Sequence, residues 1–477
     1  MKKLFVNLFS FILVIIFLIS NTSFAQNIND ALRLGYSGIG ANARALGMGN
    51  SYIGLSDDGS ASFFNPAGFG LLKRLEFSGG LAYSNFNNNT TFFGNNSEYS
   101  NSSTNLNRLS FVFPFPTLRG SLVFGLSYHS TSSLIGALQF DGFNSSDNSM
   151  ITNLLSTDVP YDLYLTDENN VSPIHGNLNQ SGTVISSGSV DYWTLSGAVE
   201  LVQNLYVGLN LNIVSGAFEQ NNDYYEDDTK DIYFDTTAAG EAQTVDFKTF
   251  YLNRLLNWEL AGWNAKLGLI YQLNNIARFG ATIQFPKTFS IKEDFTVNGS
   301  SEFGTGQIIE LDPTKYSDKV EYDIITPFEF AAGFSAGYAG IIFSAEGTLI
   351  DYTQMKFDNP NGLTEQYISE QNKSIKEKLE AVINYNLGIE YTIPNLGLRL
   401  RAGYFIQSSA FKNDNSDYDK KYITAGLGFL AAETLGIDIG YAHGWWNDFG
   451  DNYGDNVSRT FQEITLDNMV MTATYRF

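Results

Sequence analysis

Cysteine is absent from the 477 residues, which excludes a disulfide framework, a thiolate metal site and a lipidated cysteine. Histidine occurs three times and proline ten times. Positive charge is also short: 28 Lys and Arg stand against 50 Asp and Glu, a net charge of −22. Such a chain lacks the cations that neutralise phosphates, so general nucleic-acid binding is excluded. Charged residues amount to 16%, well under the ~25% of a soluble globular chain. Beyond the N-terminus no long apolar run exists. The best, Phe330 to Ala345, contains Gly333, Gly337 and Gly340 and falls short of the ~20 residues a membrane helix needs. What is abundant is aromatic: 38 Phe and 27 Tyr, a composition that argues against disorder.

The first residues set the compartment. Lys2 and Lys3 form a basic start, Leu4 to Ile19 an apolar stretch, and Ser23-Phe24-Ala25 a small-x-small exit. This pattern reads as a signal peptide over 1–25, cleaved before Gln26, and hence an exported protein.

The rest alternates. Leu398, Leu400, Ala402, Tyr404 and Ile406 interleave with Arg399, Arg401, Gly403, Phe405 and Gln407. Such period-two stretches put one apolar face opposite a polar or small one. They predict fourteen strands, near 75–84, 107–115, 119–130, 189–201, 204–216, 258–273, 276–286, 326–338, 340–350, 381–393, 396–409, 420–430, 434–445 and 465–477. Connections alternate between long (85–106, 131–188, 217–257, 287–325, 351–380, 410–419, 446–464) and short (for example Pro116-Thr117, Gln203, Ala339 and Asn395). That layout predicts an all-β fold, a fourteen-stranded antiparallel transmembrane β-barrel over 75–477, integral to a bacterial outer membrane. Closure leaves no edge and satisfies every backbone group in lipid. The last strand, ending in Tyr475 and Phe477, resembles the signal read by the barrel-assembly machinery. Membrane lipid and lipopolysaccharide are the expected surroundings, and the barrel is read as a monomer.

Residues 26–74 break the alternation and are rich in small residues; they are expected to fill the lumen as a hatch. The run Asn42-Ala43-Arg44-Ala45-Leu46-Gly47-Met48-Gly49, then Ser56-Asp57-Asp58-Gly59-Ser60-Ala61 and Phe64-Asn65-Pro66-Ala67-Gly68, resembles the N-terminal hatch of the FadL/TodX hydrophobic-compound transporters. Late strands such as Leu400-Arg401-Ala402-Gly403-Tyr404 are similar to that family too. The resemblance implies capture of a hydrophobic small molecule, such as a long-chain fatty acid, at outer loops, binding in the lumen and exit through a gap in the wall. It singles out Arg44, Asp57, Asp58, Asn65, Pro66, Ala67 and Gly68 as the hatch motif. It sets the gap at strand three, with Gly120 and Gly125 as the available hinges. The hatch motif also resembles PorV-type outer-membrane proteins, which scaffold secreted proteins, and a general porin is a third reading, disfavoured by a plug.

By alternation Val112, Val123, Tyr192, Tyr206, Ile270, Ala331 and Ile342 form apolar lumen patches, the candidate ligand surface. Glu76, Glu200, Lys266, Glu346, Glu390, Arg399, Arg401, Asp438 and Arg476 also point inward, where mixed signs are expected to pair with one another and with Arg44, Asp57 and Asp58. Phe250, Tyr251, Leu252, Leu255 and Leu256 read either as an outer capture patch or as the upper end of a long strand. No cofactor or metal is expected. The acidic runs lack the twelve-residue spacing of a calcium loop. Gly38-x-Gly40-x-x-Ala43 has no preceding strand to make it a dinucleotide fingerprint. His129, His175 and His443 lack a persuasive nucleophile and carboxylate, so no enzyme is expected.

Overall fold

The computed structural model describes residues 28–36, 38–131, 134–274, 276–431, 434–451 and 459–477. The predicted signal peptide 1–25 and the start at Gln26 lie outside these. Strands open with β1 (Glu76–Phe92), β2 (Asn95–Phe115), β3 (Leu122–Thr131), β4 (Gly136–Asn144), β5 (Leu178–Val202) and β6 (Leu205–Asp227). They continue as β7 (Phe247–Leu273), β8 (Ala277–Gln284), β9 (Thr288–Phe303), β10 (Ile308–Glu310), β11 (Ser317–Ile325), β12 (Glu329–Tyr338) and β13 (Ile341–Asp351). The last are β14 (Lys356–Asn361), β15 (Ala381–Ile393), β16 (Leu398–Gln407), β17 (Lys420–Ala431), β18 (Leu435–Asp451) and β19 (Arg459–Arg476).

Pairing makes these a closed, antiparallel barrel of fourteen wall strands. β1 pairs with β19 from Glu76↔Arg476 to Thr91↔Phe461, which shuts the ring. Four wall strands are interrupted. β3 and β4 both pair with β5, β8 and β9 with β7. β12 lies on β8 and β11 on β9, while β14 continues the β13 side by pairing with β11.

The expected strands are all present, but much of the expected long-loop length is strand. β1 and β2 run on through 85–106 and turn at Phe93-Gly94; β6 extends to Asp227 and β7 begins at Phe247. In this stretch the inward face of β1 is buried yet largely polar, with Ser84, Asn88 and Thr90, and the outward face is polar too, so the hydrophobic alternation disappears while the ladder persists. Short turns use left-handed residues, with Asn204 at φ 67, Asn395 at φ 63 and Ala339-Gly340 at φ 50 and 83.

Outward positions form an apolar band edged by aromatics, as an outer-membrane barrel requires. Phe77, Phe279 and Tyr475 stand exposed at the turn end; Tyr83, Trp193 and Trp263 stand exposed at the other rim. No described helix is long and apolar enough to cross a membrane; the crossing elements are strands.

Above the band, the outer ends of the strands carry helices α3 (Met150–Asn153), α4 (Val159–Asp162) and α5 (Glu365–Lys378). A buried core of Phe140, Ile151, Leu163, Tyr224, Phe247 and Phe250 joins α3 and α4 to the strand ends, while Ile368 and Ile375 of α5 belong to a separate core. Glu226 fastens this cap, accepting from Ser149 Oγ at 2.6 Å, Met150 N at 2.7 Å, Gln180 Nε2 at 2.8 Å and Tyr224 OH at 2.8 Å.

Candidate functional site

The N-terminal segment lies against the inner wall. It begins with α1 (Ile28–Gly35), whose Ile28, Ala31, Leu32 and Leu34 pack into an apolar core with Phe218, Trp258, Tyr322 and Ile375. Arg33 pairs with Asp30 at 2.6 Å and sets its guanidinium 4.2 Å from the Phe218 ring. After Gly40, at φ 75, α2 (Ala43–Gly47) is capped by Asn42, whose side chain accepts from Arg44 N at 2.9 Å. Two 3₁₀ turns follow: Gly59–Ser62, capped by Asp58, and Pro66–Leu71, capped by Asn65.

Glycines let this backbone lie on the barrel wall. A Cβ at Gly403 would stand 2.2 Å from Gly49 N, and one at its register partner Gly388 would stand 2.3 Å from Met48 O. The pair Gly280 and Gly333 admits Ile53 and Gly54 in the same way. Only glycine permits so close an approach.

Ion pairs reinforce the contact. Arg44 reaches Glu390 on β15 (Nε–Oε2 2.8 Å, Nη2–Oε1 3.0 Å) and Asp57 (Nη1–Oδ1 2.6 Å). Arg401 joins the same Glu390 at 2.6 Å and Asp438 at 2.7 Å; Arg476 meets Glu76 at 2.9 Å, and Glu76 also accepts from Gly59 N at 2.7 Å. Glu346 accepts from Tyr52 N and Ile53 N at 2.9 and 2.8 Å, and Lys266 donates to Phe63 O at 2.7 Å. The expected pairing is thus present for Glu76, Glu390, Arg401, Asp438 and Arg476, whereas Glu346 and Lys266 bond to backbone instead; Asp57 also has a partner that alternation did not pick out, Arg278 at 3.0 Å. Burial alone would raise the Asp57 carboxyl, but the Arg44 and Arg278 charges hold it well below the usual carboxylate range. Asp58 is lowered against its burial by Arg108 and Arg44 and by its bonds to Ser60. Burial keeps the Tyr52 phenol protonated, so it donates to Asp58 at 2.7 Å.

Hydrogen bonds brace the Asn65-Pro66-Ala67 turn on both sides. Asn65 Oδ1 accepts from Ala67 N at 3.1 Å, while Nδ2 donates to Ile53 O at 3.0 Å and to Leu269 O of β7 at 3.1 Å. Gly68 passes so close to Ser56 that a Cβ there would lie 2.0 Å from its carbonyl oxygen.

The predicted ligand surface needs correction. Val112 and Val123 pack on Phe69 and Leu72, Tyr206 and Ile270 on Ala67 and Leu71, and Ile342 beside Met48 and Tyr52. These five seat the N-terminal segment, because alternation reports which face points inward, not what fills the space. Tyr192 and Ala331 line a small cavity of about 120 Å³ beside Phe63 and His129, where His129 stacks on Tyr192 at 4.6 Å.

The main cavity, about 1080 Å³, lies higher. One side is aromatic, with Phe86, Tyr422 and Trp446; Phe405 stacks behind Tyr422 at 4.3 Å. Lys420 stands between rings, 4.2 Å from Tyr36 and 5.1 Å from Trp446. The opposite side is formed by Leu134 to Leu138 and Ser186, at the break between β3 and β4. Sequence patterning missed this chamber, since its lining comes from strand ends beyond the alternating region.

Among the described residues the third wall strand is interrupted between β3 and β4, away from Gly120 and Gly125, the glycines singled out as hinges. Gly120 sits in the turn before β3 at φ 69. A Cβ at Gly125 would meet the Phe69 ring at 2.8 Å, so this residue seats the N-terminal segment. The break instead follows Thr131, opposite Gly188 of β5, whose φ of 145 suits glycine alone. The patch at 250–256 is the upper part of β7: Phe250 and Leu252 are buried in the cap core and Leu256 lines the main cavity, whereas Tyr251 and Leu255 take the alternate face. As a loop for capture it is therefore withdrawn. No group of His, Asp or Glu that could hold a metal is found among the described residues.

Residues 35–477 match the family described as outer membrane protein transport protein (OMPP1/FadL/TodX). No curated protein matches the sequence. Among solved structures, the toluene transporter TodX of Pseudomonas putida is similar at 15% identity, with a TM-score of 0.56 over 92% of this chain and 99% of that one. A FadL homologue of Pseudomonas aeruginosa is similar at 12% identity and a TM-score of 0.54, covering 91% and 98%. The toluene transporter TbuX of Ralstonia pickettii reaches 18% identity and a TM-score of 0.51, covering 92% and 98%. Likeness at these identities speaks to the fold.

Proposed function

This chain belongs to the OMPP1/FadL/TodX family of outer membrane transport proteins, and from that premise we propose that it carries hydrophobic compounds inward from the cell surface. It is a transporter and not an enzyme. The observation that carries the reading is the main cavity, which runs from an aromatic wall at Tyr422 and Trp446 to the interrupted third wall strand. Residues 38–72 serve as the hatch. Their backbone lies directly on wall glycines and their charges are paired with wall carboxylates, so the straight path to the periplasm stays closed. A ligand held in the cavity then leaves sideways, at the break beyond Thr131. Its substrate is amphipathic or apolar, of the long-chain fatty acid or aromatic hydrocarbon kind, given rings such as Phe86 and Trp446 with amides such as Asn88 and Asn468 beside them.

The test is native mass spectrometry of gently purified barrel, followed by uptake of a labelled fatty acid and of toluene by cells that depend on this protein. Retained lipid-like ligand with saturable uptake of either probe supports the proposal. A stoichiometric protein partner and no uptake would replace it with a scaffold, and free passage of small hydrophilic solutes would replace it with a porin.

A further inference from the structure

The outer halves of β6 and β7 run far past the membrane. Trp263 of β7 stands in the outer aromatic rim, and Tyr251 lies twelve residues further up the same strand. That separation is about 40 Å along the chain, or about 30 Å in height for a strand tilted by ~40°. At this level a barrel is surrounded by the sugars of the cell surface, not by lipid tails.

Phe250, Leu252, Tyr224 and Glu226 are buried beneath the cap, so alternation turns Tyr251, Asn253, Asp223 and Tyr225 to the outside of the barrel. Tyr225 and Tyr251 are register partners, with ring centres 4.8 Å apart and planes 30° from parallel. Tyr225 is exposed and Tyr251 half-buried. Short polar side chains continue the face. Tyr251 OH donates to Asp223 Oδ1 at 2.7 Å, and Asn253 Nδ2 donates to the same oxygen at 3.0 Å. Asn298 Nδ2 of β9 donates to Asn253 Oδ1 at 3.1 Å. Ser181 of β5 and Ser300 of β9 flank the ring pair in register. None of these outward positions is Lys or Arg.

We propose that this outer face of β5, β6, β7 and β9 binds an uncharged stretch of the polysaccharide of neighbouring lipopolysaccharide, with the Tyr225–Tyr251 ring pair as its platform. A sugar ring carries C–H groups on its face and hydroxyls round its edge. The C–H face suits the negative face of an aromatic ring. The hydroxyls suit Asp, which accepts, and Asn, which both accepts and donates. A strand ladder holds these groups in place before the ligand arrives, which lowers the ordering cost of binding. Asp223 lies at the centre of a face without cations, so phosphate and uronic acid are disfavoured. Lipopolysaccharide is anchored in the leaflet around the barrel and its chain rises along this wall, so a face on the side of the barrel meets that chain first. No residue of the face lines the main cavity, and the inference stands apart from the transport reading.

The probe is lipid-free polysaccharide, released by mild acid from the lipopolysaccharide of the host cells and titrated onto purified barrel by calorimetry. Wild type should bind it. Tyr225→Ala with Tyr251→Ala should bind about tenfold more weakly, while Tyr225→Phe with Tyr251→Phe, which keeps both rings, should retain most of the affinity. The heat-modifiable band reports whether each variant is folded. Asp223→Asn gives a second measurement that leaves the rings alone: it should admit polygalacturonate, which wild type should reject. Equal binding by wild type and the alanine pair would overturn the proposal. So would binding of lipid A without binding of the free polysaccharide, or wild-type binding of polygalacturonate at equal strength. A wild-type dimer in native mass spectrometry that the alanine pair abolishes would also overturn it, because the face would then serve a second copy of the chain.

Discussion

The Arg44 guanidinium grips the Glu390 carboxylate with two parallel hydrogen bonds, Nε to Oε2 at 2.8 Å and Nη2 to Oε1 at 3.0 Å, across 346 residues of sequence. Glu390 is simultaneously bonded by Arg401 at 2.6 Å, so one wall carboxylate anchors both a hatch cation and a wall cation. Removing it leaves two buried guanidiniums short of a partner. Glu390→Ala should weaken hatch attachment by about 3–5 kcal/mol, the cost of breaking a buried pair from one side. Hydrogen exchange read by mass spectrometry over residues 42–62 checks this: faster exchange there with unchanged barrel strands is expected, and unaltered protection would show that the glycine contacts suffice.

Acid should loosen the same attachment. Asp57 is lowered in the folded protein because Arg44 and Arg278 outweigh its burial. A lowered carboxyl adds stability that is fully present above its unfolded pKa of ~3.9 and is lost as pH falls towards the folded value. The part of hatch protection that Asp57 supplies should therefore be flat down to about pH 5 and decline below about pH 4. Asp57→Asn should remove most of that acid-dependent part; a decline of equal size in the variant would assign it to other carboxylates.

Asn65→Ala removes the amide that ties the Pro66 turn to Ile53 O and to Leu269 O. Taking this donor from the buried Ile53 carbonyl should cost about 1–3 kcal/mol. Labelled fatty acid uptake should fall while the heat-modifiable band of the folded barrel persists. Normal uptake in a correctly assembled variant would separate this turn from transport.

The C-terminal residue is expected to act during assembly. Phe477 is exposed, contacts the Tyr475 ring at 4.7 Å and donates its N–H to Leu75 O at 3.0 Å, beside the closing pair β1–β19. Its deletion should slow insertion into the outer membrane, followed by pulse-labelling and the appearance of the heat-modifiable form. Insertion at the normal rate would place the assembly signal elsewhere in β19.

Legibility followed the solvent. Where strands such as β16 and β18 run between lipid and lumen, alternate residues meet different media, and Leu398 to Ile406 display this plainly. In Asn85 to Asn107 both faces are polar, so the same ladder left no periodic mark and read as loop. The ion pairs were foreseeable as a set, because buried charges of both signs must pair. Their detailed choice, such as Asp57 with Arg278, depends on how the hatch backbone is laid down.

The sequence by itself determined the number of wall strands, their direction and the presence of a non-alternating N-terminal insert, because lipid demands a closed ladder and an apolar outer face at every crossing. Tertiary structure alone decided where that ladder fails. Among the described residues β4 is laddered only to β5, and it packs on Asn88 and Phe92 of β1. Such a choice of partner, made between segments remote in the chain, has no local periodicity to announce it. The same holds for Gly388 and Gly403: any small residue would keep the strand pattern, and only the hatch backbone pressed against them explains why they carry no side chain.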